Sequence, residues 1–181
     1  PVPTHLPRRR DTPDDRLGAI VRDARPGRLL TTRHVAGRLP ALPAPLPVVA
    51  TDDIDEGERS GWASPAVGPS TLALLQYTSG STGTPRGVMV THDNLLHNHA
   101  QMAAAFRHRP DTVCVTWLPL FHDMGLIGNV LYALYLGGSC VLLSPSTFLK
   151  QPVRWLRAVS DYGGTFSGGP NFGFDLCVQR I

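Results

Sequence analysis

Lysine is almost missing from this chain: Lys150 is the only one in 181 residues. A Walker-type phosphate loop, which needs Gly-Lys followed by Ser or Thr, is therefore excluded. No apolar run approaches the roughly 20 residues that a membrane-spanning helix needs, so no membrane span is expected. No signal peptide is expected either. Cysteine is scarce: Cys114, Cys140 and Cys177 are far apart in sequence, odd in number and not in a CxxC pattern. That excludes a disulfide framework or a zinc site and fits buried free thiols in a reducing compartment, here taken as the cytoplasm. No HExxH occurs, so His92, His97, His99 and His108 are expected to cap, face solvent or pack rather than bind metal. No aromatic residues interleave with Arg8, Arg9 and Arg10, which argues against a nucleic-acid partner. There is no internal repeat.

The remaining composition, 42% hydrophobic and 17% charged, is that of a globular segment with one core. Net charge is +3, unevenly spread. Up to Arg38 there are nine arginines and four aspartates, and Asp52, Asp53, Asp55, Glu56 and Glu58 then form an acidic patch.

The most informative stretch runs from Leu72 to Val90. An apolar run enters it, an apolar run leaves it, and between them lie residues made almost wholly of Gly, Ser, Thr, Pro and Arg86. Short apolar runs bounded by turn residues read as buried strands, so the pattern predicts strand, glycine-rich loop, strand. Bare backbone N–H groups in such a loop make an anion-binding nest, and glycine lets a phosphate approach the backbone. Arg86 adds a permanent cation with a fork suited to phosphate. The dinucleotide fingerprint is excluded because the loop is followed by Val88-Met89-Val90, not by a helix. A polyphosphate cradle is expected, for ATP. The plain alternative is a flexible Ser/Gly hairpin.

Elsewhere, Leu17, Ile20, Val21 and Ala24 predict an amphipathic helix over 14–24. Short strands are expected at 29–31 and 48–50, with a proline loop between them, and 52–70 reads as a surface linker in which Trp62 packs beside the loop. Thr91 is a good N-cap for a helix to about Arg107, presenting Leu95, Leu96, His99, Met102, Ala103 and Phe106 on one face. A strand over 112–116 runs into Trp117-Leu118-Pro119-Leu120-Phe121-His122-Asp123-Met124-Gly125-Leu126, followed by a helix ending at Gly137-Gly138. A buried strand is expected at 140–143. A helix follows from Pro152, with Val153, Leu156 and Val159 as its inner stripe, then a strand at 165–167 and a last helix. This alternation predicts an α/β fold with a mostly parallel sheet and flanking helices. His122 and Asp123 fall at a strand's C-terminal end, where open α/β sheets bind ligands. Their plain alternative is helix capping.

The segment Tyr77-Thr78-Ser79-Gly80-Ser81-Thr82-Gly83-Thr84-Pro85-Arg86-Gly87 resembles the signature loop of the adenylate-forming enzymes. Together with His122-Asp123-Met124-Gly125-Leu126-Ile127-Gly128 and the segment 167–177, it resembles fatty acyl-AMP ligases most. The resemblance implies part of the large N-terminal domain of an acyl-adenylating enzyme, truncated at both ends, since Pro1 is not Met and no adenine segment, hinge or catalytic-lysine domain follows Ile181. It implies ATP-dependent activation of a medium- or long-chain fatty acid to acyl-AMP, then transfer to the phosphopantetheine thiol of an acyl carrier protein. By the same resemblance, Thr78, Ser79, Gly80, Ser81, Thr82, Gly83 and Arg86 would hold the ATP phosphates, and Thr78 would contact Mg2+. Arg86 and His122 would be catalytic. His122, Asp123, Met124, Gly125, Gly169, Pro170, Asn171, Phe172 and Phe174 would line the acyl pocket, with glycines giving room for an alkyl chain. The alternatives are an acyl-CoA synthetase, an amino-acid adenylation domain, and a nucleotide-binding remnant without catalysis.

Overall fold

A computed structural model describes residues 1–5, 15–43, 45–55, 57, 61–78 and 85–181. The chain divides into two compact units, Pro1–Val90 and Thr91–Ile181.

In the first unit, helix α1 (Asp15–Ala24) buries Leu17, Ile20 and Val21. These are the i, i+3 and i+4 positions of the expected stripe. Strands β1 (Leu29–Thr31) and β2 (Val48–Ala50) form where expected and pair in parallel, with Leu30 opposite Val49. Between them lies a four-residue helix, α2 (Arg33–Ala36), that the sequence reading did not anticipate. Asp52 accepts from the Arg33 backbone N–H at 2.7 Å, and Asp53 is ion-paired with the Arg33 guanidinium. Part of the acidic patch thus holds a 3-10 turn over Thr51–Asp53 against α2. Trp62, expected to pack, is 75% exposed.

Strands β3 (Leu72–Thr78) and β4 (Arg86–Thr91) flank the glycine loop and hydrogen-bond to each other. Leu74, Gln76 and Tyr77 of β3 are buried. The expectation that both strands are buried fails for β4, where Val88 is 49% and Met89 72% exposed. A two-stranded ribbon covers its residues only where another element packs on it.

The second unit starts with α3 (His92–Phe106), capped as expected at Thr91. The Thr91 hydroxyl accepts from Asn94 N–H at 3.2 Å, and the Asn94 side chain accepts from Thr91 N–H at 3.0 Å. This reciprocal cap satisfies two otherwise orphaned donors. The expected inner face is narrower than the sequence pattern: His99 is buried, while Leu96 and Phe106 are more than half exposed.

The sheet of this unit is parallel, in the order β6 (Ser139–Leu142), β5 (Val113–Thr116), β7 (Phe166–Ser167). The central strand is the buried one; Cys114, Val115 and Thr116 are almost inaccessible. The 140–143 strand was expected to be buried too, but β6 lies at the sheet's edge and Leu142 is 53% exposed. Cys114 and Cys140, distant in sequence, are register partners across β5 and β6. All three cysteines are free thiols.

Helix α4 (Asp123–Gly125) continues into a π-helical stretch, Leu126–Leu131, and then α5 (Tyr132–Leu136). Gly137, at φ 71°, ends α5 in the left-handed region that glycine adopts without strain. Helix α6 (Pro145–Lys150) was not anticipated, although its start signals are plain: Ser144 caps it and Pro145 sits in its first turn. Helix α7 (Val153–Asp161) faces inward through Trp155 and Ala158, not through Leu156, which is 44% exposed. Of the expected stripe Val159 still packs against the core, while Trp155 takes the innermost position by packing on both Phe148 and Trp117. Helix α8 (Asn171–Arg180) closes the unit. The core joins Val115, Trp117, Leu118, Phe148, Trp155, Ala158 and Cys177.

Candidate functional site

At the glycine loop, Thr78 is exposed at the end of β3 and Arg86 is exposed at the start of β4. Ser79, Gly80, Ser81, Thr82 and Gly83 lie outside the described residues. The entrance and exit of the loop meet at one side chain. The Tyr77 ring lies over the Gly87 backbone: a Cβ placed on Gly87 would fall 2.8 Å from Tyr77 Cζ and 3.0 Å from its hydroxyl oxygen. The Tyr77 hydroxyl donates to the Asp23 carboxylate of α1. The Arg16 guanidinium, also on α1, donates to the Tyr77 carbonyl at 3.2 Å. Burial first, and then the Asp23 carboxylate, pushes the Tyr77 phenol up to about 12, so it remains a proton donor at any ordinary pH.

In the second unit, β5 delivers Trp117 and Leu118 into the core, and the chain then surfaces at Leu120 and Phe121. The turn closes with His122 N–H donating to the Pro119 carbonyl at 3.1 Å. Gly125 sits so close beneath this turn that a Cβ would collide with the Pro119 carbonyl oxygen and lie 3.1 Å from that of Leu118. His122 is the N-cap of α4, so the capping role is realised. Its Nδ1 lies 2.6 Å from Asp123 Oδ1 and 3.3 Å from Met124 N. The Met124 N–H also donates to Asp123 Oδ1 at 2.7 Å, the shorter contact. Without a proton Nδ1 accepts from the Met124 N–H as the cap, and with one it donates to Asp123; in either state that holds the ring at Nδ1, Nε2–H is the outward end of the imidazole. Both side chains are 63% exposed.

The second and third motifs come together within this unit. A Cβ on Gly168 would lie 3.7 Å from Met124 Cε. The room beside Gly169 and Gly173 is taken by the Trp117 indole, 3.0 and 2.8 Å from where their Cβ atoms would be. Phe172 meets the same indole edge-on at 5.8 Å, and Phe174 lies 5.4 Å from Trp155. Trp117 stacks on Phe148 at 3.9 Å. Pro170 and Asn171 are exposed, and Phe172 and Phe174 remain about half exposed.

Sequence reasoning missed Asn129. It is 3% exposed, inside the π-helical stretch. Its amide donates to Thr116 Oγ1 at 3.0 Å and accepts from the Cys114 thiol at 3.5 Å, tying the stretch that follows the His122 turn to β5. A lone amide in the apolar run Leu126–Leu136 was the available signal. Tyr77 was read only as a flank of the loop, and its partners Asp23 and Arg16 lie too far along the chain for any local pattern to reveal. Among the described residues no group of three or more His, Cys, Asp or Glu side chains is placed to hold a metal ion. Also among the described residues, no helix is long and apolar enough to cross a membrane.

Residues 4–180 match the family described as AMP-binding enzyme. The chain is 37% identical, over 187 aligned positions, to the medium-chain-fatty-acid–[acyl-carrier-protein] ligase JamA of Moorena producens, covering 99% of this chain and 31% of that protein. It is 42% identical over 180 positions to the long-chain-fatty-acid–AMP ligase FadD26 of Mycobacterium marinum, covering 92% of this chain and 30% of that one. The crystal structure of fatty acyl-adenylate ligase from L. pneumophila in complex with acyl adenylate and pyrophosphate is similar at a TM-score of 0.85 and 39% identity, over 92% of this chain and 30% of that one. The chain thus spans less than a third of the length of these relatives.

Proposed function

The chain belongs to the AMP-binding enzyme family, and from that premise we propose that the protein activates a medium- or long-chain fatty acid with ATP and passes it to a carrier-protein thiol. A carboxylate is a poor acyl donor because its leaving group would be oxide. Attack of a carboxylate oxygen on the α-phosphorus of ATP forms a P–O bond, breaks the bond to pyrophosphate and leaves an acyl adenylate. A phosphopantetheine thiol then takes the acyl group and AMP departs. The observation that carries this reading is the strand pair β3–β4, which flanks a glycine- and hydroxyl-rich sequence with Arg86 at its exit. The names of the relatives, fatty-acid–AMP ligase and acyl-carrier-protein ligase, support it.

Negative charge builds on phosphoryl oxygens in the transition state, so positioning and fixed positive partners supply the catalysis. Backbone N–H groups from Ser79 to Gly83, the hydroxyls of Thr78, Ser81 and Thr82, and Arg86 hold the β- and γ-phosphates. Thr78, exposed at the strand's end, offers the hard oxygen donor that Mg2+ accepts beside phosphate ligands. When bound, the ion neutralises phosphate charge. His122, its ring held at Nδ1 by the Met124 N–H and Asp123, binds the carboxylate–phosphate junction by donating from Nε2–H. Met124, Gly125 and the segment Gly169, Pro170, Asn171, Phe172 and Phe174 form the acyl side, where half-exposed phenyl rings present an apolar wall to an alkyl chain.

ATP–pyrophosphate exchange by the full-length protein tests the proposal. Exchange should depend on fatty acids, and the acyl group should appear on a phosphopantetheinylated carrier protein and not on coenzyme A. Robust acyl-CoA formation, or exchange supported only by amino acids, contradicts it.

A further inference from the structure

We propose that Asp23 and Arg16 of α1, outside the loop motif, are positioning residues that clamp the neck of the glycine loop through Tyr77. The proposal rests on the reading of that loop as the ATP-phosphate cradle. Tyr77 ends the buried part of β3 and is 4% exposed. Its backbone carries the chain into the loop, and its ring covers Gly87, where the chain leaves it. One side chain therefore pins both ends of the loop. The pin is itself held at two points: the phenol donates to Asp23, and the Tyr77 carbonyl accepts from Arg16. Both charged groups project from α1, which buries Leu17, Ile20 and Val21.

The geometry explains three sequence choices together. Residue 87 is glycine because a side chain would displace the ring. Residue 77 is tyrosine because the ring must both cover Gly87 and reach a carboxylate. Helix α1 carries Arg16 and Asp23 on the side facing β3. A loop whose ends are fixed before nucleotide arrives loses less conformational freedom on binding than one whose ends are free. The clamp therefore acts on ATP affinity, and it leaves fatty-acid affinity alone.

The test uses Tyr77→Phe, Asp23→Asn, the double variant and Asp23→Glu in the full-length protein. Each single variant should raise KM for ATP about tenfold, the size of one lost hydrogen bond to a charged partner, with KM for the acid unchanged. The double variant should be no worse than either single one, because both remove the same bond. Asp23→Glu should recover part of the loss. Amide hydrogen exchange at Gly87–Val90 should be faster in the Phe and Asn variants, with residues 113–116 unchanged. That readout needs no turnover, so a wild-type protein without pyrophosphate exchange defeats the functional reading while the clamp is still decided. Unchanged amide exchange at Gly87–Val90 overturns the clamp. So does an additive double variant, or KM values for both substrates rising together.

Discussion

Arg86 places a permanent charge at the exit of the glycine loop, and its side chain is exposed. Replacing it by Ala should cut kcat/KM for ATP by about 100-fold, while Lys should restore a part, since an ammonium keeps the charge but loses the fork. Steady-state pyrophosphate exchange measures both. Gly125 does a different job. A methyl group there meets the Pro119 carbonyl, so Gly125→Ala should destabilise the unit by about 1–3 kcal/mol in urea unfolding. It should also disturb the turn that orients His122. At this scale residue type alone singles out Thr78, Arg86 and His122 as candidates, and the structure places the first two exposed at the strand ends and His122 at the N-cap of α4. Tyr77, Trp117 and Asn129 were not legible in the sequence, because their roles lie in what they touch. Gly169 shows the difference best. It was expected to make room for an alkyl chain, and the room beside it, as beside Gly173, holds the Trp117 indole.

Among the elements, α1, the strands on either side of the glycine loop and the capped start of α3 were all readable, because each has a local cause: a 3.6-residue stripe, turn residues between apolar runs, a Thr–Asn cap. The misplaced faces have non-local causes. Nothing near Leu142 says that β6 is an edge strand, and nothing near Leu156 says that two indoles and a phenyl ring take the inner face of α7. The π-helical stretch was likewise invisible, since no local sequence signal marks a π turn; Asn129 within it bonds Thr116 of β5. One element carries a pH dependence. His99 is buried on α3 between Tyr132 and Tyr135, its Nε2–H donating to the Ile127 carbonyl at 3.0 Å. Burial holds its pKa below the ordinary value, and the Ile127 contact opposes this less strongly. The unfolded chain therefore takes up a proton near pH 6.5 while the folded one does not. Its effect is nil well above that pH and destabilising as pH falls through 6.5 toward the folded value. Urea midpoints measured between pH 8 and 5 should drop, and the drop should be smaller in His99→Gln.

For the molecule as a whole, the parallel sheet was predictable from the alternation of strands and helices, and the order β6-β5-β7 puts the most buried strand directly behind the His122 turn. The unit Pro1–Val90 carries the strand pair that flanks the glycine loop, and the unit Thr91–Ile181 carries His122 and the aromatic segment around Trp117. The proposed reaction is attack of a carboxylate on the α-phosphorus. Isotope transfer tests it most directly. Full-length protein given a fatty acid labelled with oxygen-18 in its carboxylate, ATP and a carrier-protein thiol should produce AMP carrying one labelled oxygen, because the bridging oxygen stays with phosphorus when the acyl group leaves. Unlabelled AMP, or label found in inorganic phosphate beside ADP, would contradict it.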